Sequence, residues 1–301
     1  MSSPLIPLNT AAHLRRHKIT RKGFQLTILV CGRSGTGKST FINTLCDTDI
    51  ATTPEKTTEI TVRNRKIELG ESDGTIISLS IVDTPGFGEH IDNSGHAETI
   101  VKYLESQFDS VLQEETRVRR NPKFEDNRVH VCLYFLSPSP RGLNELDIET
   151  IQKLAARVNV IPVVGKADTM TDKELLSIKS SVMENIESHN LPIFTFNYDL
   201  DNNYDQTEEN DALREMLPFA VVGANTIYQV NDEFFRGRRY PWGFVQVENP
   251  MHSDFIALRS VLFGSHIQDL KDSTLDIIYE KYRTEKLSKD PQMLARLSIA
   301  S

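Results

Sequence analysis

One stretch near the N-terminus restricts the fold more than any other: Leu26-Thr-Ile-Leu-Val-Cys-Gly-Arg-Ser-Gly-Thr-Gly-Lys-Ser-Thr40. The apolar, partly β-branched run from Leu26 to Val30 reads as a buried strand. It leads directly into Gly32-x4-Gly37-Lys38-Ser39, and Thr40 to Leu45 can continue as a helix. Strand, glycine-rich turn and helix in that order make a phosphate-binding loop. Its glycines let backbone N–H groups face a polyphosphate with no Cβ in the way, and the helix presents its positive end to the same anion. Gly32, Ser34, Gly35, Thr36, Gly37, Lys38, Ser39 and Thr40 are therefore candidate nucleotide-binding residues. Lys38 has the reach for the β- and γ-phosphates, and Ser39 has the hydroxyl for Mg²⁺.

Downstream, strands alternate with helices. Ile60–Leu69 and Thr75–Val82 read as strands around the turn Gly70-Glu-Ser-Asp-Gly74, and would pair as one antiparallel edge. Ile100, Leu104, Phe108, Val111 and Leu112 form a helical stripe over 95–116. Val129–Leu136 is a central strand, 144–157 a helix, Val160–Val164 a strand, 172–188 a helix and 193–196 a short strand. The pattern predicts a three-layer α/β fold, a mostly parallel sheet with helices on both faces. Ligands of such sheets bind beyond the carboxyl ends of the strands. Gly32, Asp83 and Asp168 follow apolar strands and should converge there.

Asp83-Thr-Pro-Gly86 stands where a phosphate-loop protein needs an acid to hold Mg²⁺ through water, with the Gly86 N–H available to a γ-phosphate. Gly165-Lys166-Ala167-Asp168 matches the x-Lys-x-Asp element of guanine-nucleotide proteins. A carboxylate there accepts both the N1–H and the 2-amino group of guanine, a donor pair that adenine lacks. The Lys166 stem would lie over the base. Most GTPases carry Asn or Thr where Gly165 stands. The position after Gly86, often a Gln that orients water, is Phe87, so hydrolysis should be slow or depend on other groups.

The 301 residues suffice for one large α/β domain with an appendage, and the net charge of −8 argues against general nucleic-acid binding. The charge is uneven. Residues 13–22 carry five cations and no acid, whereas 199–211 are strongly acidic. The basic stretch is either a solvated segment or a surface for acidic phospholipids. Cys31, Cys46 and Cys132 form no Cys-x-x-Cys pair and read as reduced, mostly buried thiols of a cytosolic protein. There is no apolar run long enough to span a membrane, and no secretory signal is evident.

With Asp83-Thr-Pro-Gly-Phe-Gly88 and Gly165-Lys-Ala-Asp168 in view, the chain resembles the septins, and fungal septins most of all. The C-terminal third adds Arg236-Gly-Arg-Arg-Tyr-Pro-Trp-Gly243, Val247-Glu-Asn249, Asp254-Phe255, Leu258-Arg259, Asp269-Leu-Lys271 and Tyr279-Glu-Lys-Tyr-Arg283, which look like the septin unique element. The resemblance implies a GTP- or GDP-binding cytoskeletal subunit of hetero-oligomeric filaments at the cell cortex, bud neck or septum, with Mg²⁺ as the metal. It implies a division into a segment 1–22, a GTP-binding domain 23–230, a unique element with C-terminal helix 231–285 and a tail 286–301. Two subunit interfaces follow, one across the nucleotide and one across the terminal helices.

By motif match, Gly223 and Arg238 would approach the guanine, and Trp242 would pack across the nucleotide-side interface. The residues alone leave Trp242 either there or in the core. Thr57 or Thr58 would contact Mg²⁺ and position water. Arg15, Arg16, Lys18, Arg21 and Lys22 match the lipid-binding segment. Arg141 stands where many septins have a His that reaches the neighbour's nucleotide. Many septins continue into a coiled coil, whereas this sequence stops at Ser301 without sustained heptads, as a shortened chain or a member without that tail. Two other readings stand beside this one, a cycling signalling GTPase with effectors and an ATP-dependent enzyme. Phe87 and the long C-terminal third weigh against the first, Asp168 against the second.

Overall fold

The computed structural model describes residues 24–47, 61–68, 76–84, 86, 94–117, 119, 121, 124–137, 139–196, 204–230 and 233–289. Six of the described strands form one sheet: β1 (Phe24–Gly32), β2 (Thr61–Glu68), β3 (Ile76–Asp83), β4 (Val131–Leu136), β5 (Asn159–Gly165) and β6 (Phe219–Val221), in the order β2-β3-β1-β4-β5-β6. Only the β2–β3 edge is antiparallel, and it is the edge that the turn between the two runs anticipates. The order reverses around β1, whose carboxyl end is therefore a crevice between crossovers that leave in opposite directions. Register brings Val30 beside Asp83 and Gly32 beside Phe135.

Alternation along β1 explains the three layers. Leu26, Ile28 and Val30 point to one face, where α1 (Lys38–Cys46) supplies Phe41, Ile42 and Leu45. Leu29 and Cys31 point to the other, toward α2 (Ser94–Glu115), α3 (Glu145–Ala155) and α4 (Asp172–Ser188). The helices end where their sequences supply caps. Asn144 accepts from the Asp147 N–H, and Thr171 with Glu174 closes a reciprocal capping box.

Three departures from the sequence pattern have physical causes. Residues 193–196 do not join the sheet, because Pro192 removes a donor and only the Phe194 N–H reaches β5, at Val160 O (2.8 Å). The next strand is instead β6, which is three residues long. The acidic stretch is helical from its middle onward. α5 (Tyr204–Glu215) lacks an apolar stripe and is held by buried Leu213 and by Asn210, bonded to His266 at 2.8 Å.

The C-terminal run has apolar positions at a spacing only loosely helical, and two π-helical turns account for it. α6 (Phe255–Ser260) passes through a wide turn at Val261–Ser265 into α7 (Ile267–Asp272), then through a second at Ser273–Tyr279 into α8 (Glu280–Lys289). Phe255, Leu258, Leu262 and Leu270 join the core on the α1 side, whereas Ile278, Tyr279 and Tyr282 pack on Phe108 and Val111 of α2. Arg157 bridges Glu105 of α2 (2.9 Å) and Glu285 of α8 (2.8 Å).

At the sheet's other end His130 is 4% exposed. Its Nδ1 accepts the Thr27 N–H at 3.0 Å, and its backbone N–H returns to Thr27 O at 3.0 Å. A separate ribbon, β7 (Ile227–Val230), β8 (Glu233–Tyr240) and β9 (Gly243–Gln246), is antiparallel throughout and folds over the α1 side of the crevice.

Candidate functional site

The loop between β1 and α1 carries Gly35 and Gly37 at φ 78° and 97°, conformations costly for any residue with a Cβ. Lys38 is 7% exposed and curls over this loop, its Nζ donating to Gly32 O (3.0 Å) and Arg33 O (2.8 Å). Its charge is thereby held where the strand end, the loop N–H groups and the α1 N-terminus meet. Thr36 Oγ1 bonds Arg33 O at 2.8 Å and tightens the same turn.

Asp83 is 1% exposed at the end of β3. The residue after it, Thr84, directs both its N–H (3.3 Å) and its hydroxyl (3.1 Å) to Val30 O, which ties the Asp-x-x-Gly turn to β1. A Cβ on Gly86 would lie 2.6 Å from Ser34 Cα, so only glycine lets this turn rest on the phosphate loop. Gly165 is explained in the same way. A Cβ there would stand 2.2 Å from Thr36 O, so the place where most GTPases carry Asn or Thr is already filled by loop backbone. The Lys166 side chain passes over Gly37, within 3.6 Å of where a Cβ would be.

Asp168 follows β5 with its side chain fully buried. Its Oδ2 accepts from Arg238 at 3.1 Å and from the Tyr240 hydroxyl, while its Oδ1 has no hydrogen-bond partner among the described residues. Burial, then the bond to Asp168, push the Tyr240 hydroxyl above its usual range, so it donates as a neutral phenol. Arg238 also bonds Gly223 O through Nε at 2.8 Å, and a Cβ on Gly223 would come within 3.0 Å of Phe41 N in α1. Thr44 closes this side, its hydroxyl accepting the Ala224 N–H at 3.0 Å and donating to Thr40 O at 2.7 Å. Arg236 pairs with Asp47 and bonds Ala224 O at 3.2 Å. Thr40, Ala224, Arg238 and Tyr240 are among the residues that line a cavity of about 290 Å³.

Phosphate loop, Asp83 turn, Lys166-x-Asp168 element, Gly223 and Arg238 thus surround one crevice. Sequence reasoning passed over Tyr240, Arg236 and Thr44. A signal existed for Tyr240: two residues beyond Arg238 on a strand, it must share that residue's face. Trp242 is 70% exposed and stacks flat on Tyr240, with ring centroids 4.8 Å apart and planes 5° apart, so it is no part of the core. Phe234 and Ile227 are exposed on the same ribbon. Arg141 is exposed after β4. Thr57, Thr58, Phe87 and the cations Arg15, Arg16, Lys18, Arg21 and Lys22 lie outside the described residues. Among the described residues no group of three or more His, Cys, Asp or Glu gathers as a metal cluster. No described helix is long and apolar enough to cross a membrane.

The chain is similar to known proteins over most of its length. The Septin family model matches residues 22–296. Cell division control protein 11 of Saccharomyces cerevisiae is 44% identical over 293 residues, which cover 93% of this chain and 71% of that protein. Septin homolog spn3 of Schizosaccharomyces pombe is 42% identical over 286 residues, covering 92% and 77%. Among solved structures, the Septin GTPase domain from Chlamydomonas reinhardtii superimposes with a TM-score of 0.66 at 26% identity, covering 86% of this chain and 98% of that one. Cdc11 from Saccharomyces cerevisiae gives 0.62 at 37%, covering 88% and 100%. With the Septin family model spanning most of its length and relatives above 40% identity, the chain belongs to the septin family, cytoskeletal cell-division proteins built on a guanine-nucleotide-binding domain.

Proposed function

We propose that this septin holds GTP or GDP as a structural part of a joint between neighbouring subunits, with turnover slow at most. The observation that carries this reading is Asp168. A buried carboxylate with one oxygen unaccompanied is costly unless a donor arrives, and guanine brings two. Arg238, which holds that carboxylate, belongs to the ribbon that exposes Trp242, Phe234 and Ile227. Base reading and an aromatic surface suited to a protein partner therefore share one element.

In this reading the loop from Gly32 to Thr40 cradles the phosphates with Lys38, the Gly86 N–H meets the terminal phosphate, and Lys166, Asp168, Gly223 and Arg238 hold the base. Ser39 and Asp83 offer oxygen donors only, a set that suits Mg²⁺ with phosphate and water completing the shell. Bound there, the metal would neutralise phosphate charge. Thr57 or Thr58 would serve any hydrolytic step. The nucleotide-side ribbon and the terminal helices would meet other septins in filaments at the cortex, bud neck or septum. Arg15, Arg16, Lys18, Arg21 and Lys22 would meet acidic phospholipids there.

Nucleotide extraction from the purified chain, run beside sizing of its oligomers, tests the reading. Guanine nucleotide should be recovered, and Asp168→Ala should lose the preference for GTP over ATP together with the nucleotide-side contact. An Asp168→Ala protein that binds GTP as its parent does would overturn the assignment, and a monomer with fast exchange would favour a cycling GTPase.

A further inference from the structure

We infer that Tyr240 gates the guanine site: its hydroxyl occupies the Asp168 oxygen that the base needs, and its departure moves Trp242, so that base recognition is felt on the exposed aromatic surface. The inference rests on the reading of Asp168 as the base contact.

A base that offers two N–H donors side by side pairs with both oxygens of a carboxylate. Only Oδ1 of Asp168 is uncommitted, since Oδ2 already takes Arg238 and Tyr240. Two donors fill the lone pairs of one carboxylate oxygen. For guanine to engage both oxygens, one of these donors must leave.

The two are held unequally. Arg238 is charged and is fixed a second time through Nε to Gly223 O at 2.8 Å. Tyr240 is neutral, sits at the last position of β8, and beyond Asp168 its hydroxyl meets only the Arg238 side chain, with no backbone anchor of its own. The phenol is the donor that yields. Its ring lies flat against Trp242, which packs on Tyr240 and is otherwise 70% exposed. Swinging the phenol away breaks that stack or carries the indole with it. Base binding, unlike phosphate binding at Lys38 and Gly37, is in this way wired to Trp242.

Trp242 is the single tryptophan of the chain, so tryptophan emission comes from this position alone. The experiment uses the full chain stripped of nucleotide, with affinities for GDP, ATP and tripolyphosphate measured by calorimetry and Trp242 emission followed in parallel. Tyr240→Phe keeps the ring and removes the competing hydroxyl. It should bind GDP about tenfold more tightly than the parent, the worth of one hydrogen bond to a charged group, with tripolyphosphate affinity unchanged. In the parent, GDP should shift Trp242 emission and tripolyphosphate should not.

Equal or weaker GDP binding by Tyr240→Phe overturns the gate, because the hydroxyl would then be a bystander or a ligand. So does an emission change that tripolyphosphate reproduces. A parent that binds GDP no better than ATP, with Tyr240→Phe the same, takes down the Asp168 reading and the gate with it. A guanine-selective parent with an unaltered variant removes the gate alone.

Discussion

Acid should loosen this fold through one histidine. Nδ1 of His130 accepts the Thr27 N–H, which fixes a neutral ring with its proton on Nε2. Protonation would set two donors face to face between β1 and the approach to β4. Burial first, and then Lys271, hold the His130 pKa down at about 4; Asp126 pulls the other way, and Arg128 adds the least. The folded value lies below the unfolded value of about 6.5, so the unfolded chain takes up the proton first. The contribution is therefore whole above pH 6.5 and is lost as pH falls toward 4. Linkage gives a loss of about 2 kcal/mol at pH 5, rising to about 3 kcal/mol below pH 4.

Asn at this position offers a carbonyl oxygen close to where Nδ1 stands and does not titrate. Urea unfolding at pH 7 and pH 5 should show the parent losing about 2 kcal/mol more than His130→Asn between the two. His266, also lowered by burial, affects both proteins alike and cancels in the difference. Equal losses in parent and variant would refute the assignment of the proton to His130.

Two further outcomes follow from close contacts. Gly165→Asn restores the residue most GTPases carry, yet here it should weaken GDP binding and cost about 1–3 kcal/mol of stability, because its Cβ drives into Thr36 O. Calorimetric titration and thermal unfolding check this, and tighter binding would contradict it. Arg157→Met keeps the side-chain stem but removes the bridge it makes between α2 and α8, leaving the Asp109 and Phe108 contacts to Tyr282 in place. Amide exchange in residues 280–289 should quicken by about 1 kcal/mol of local stability, with the parent approaching the variant at high salt.

Most of the scaffold was legible because its signals are local. β1 and β5 are apolar runs that end in punctuating residues, and the α2 stripe of Ile100, Leu104 and Phe108 is buried throughout. Once the strands are ordered, the meeting of Gly32, Asp83 and Asp168 follows from topology. The hold of Tyr240 on Asp168 was not legible in this way. It joins residues 72 apart through a bond that no window along the sequence contains. Gly165 read as a flaw in a motif and is instead a clearance for Thr36. α5 gave no periodic signal, because charged residues dominate it and few of its side chains meet the core.

The wide turns at 261–265 and 273–279 make the end of the chain sensitive to length as well as to composition. Each inserted backbone loop keeps the helical run in phase with two different surfaces in succession, the α1 face and then α2. Deleting one residue from either would let an ordinary helix form and would swivel everything beyond it by about 100°. Tyr282 would then face solvent, and its bond to Asp109 would be lost without any change to the residues themselves.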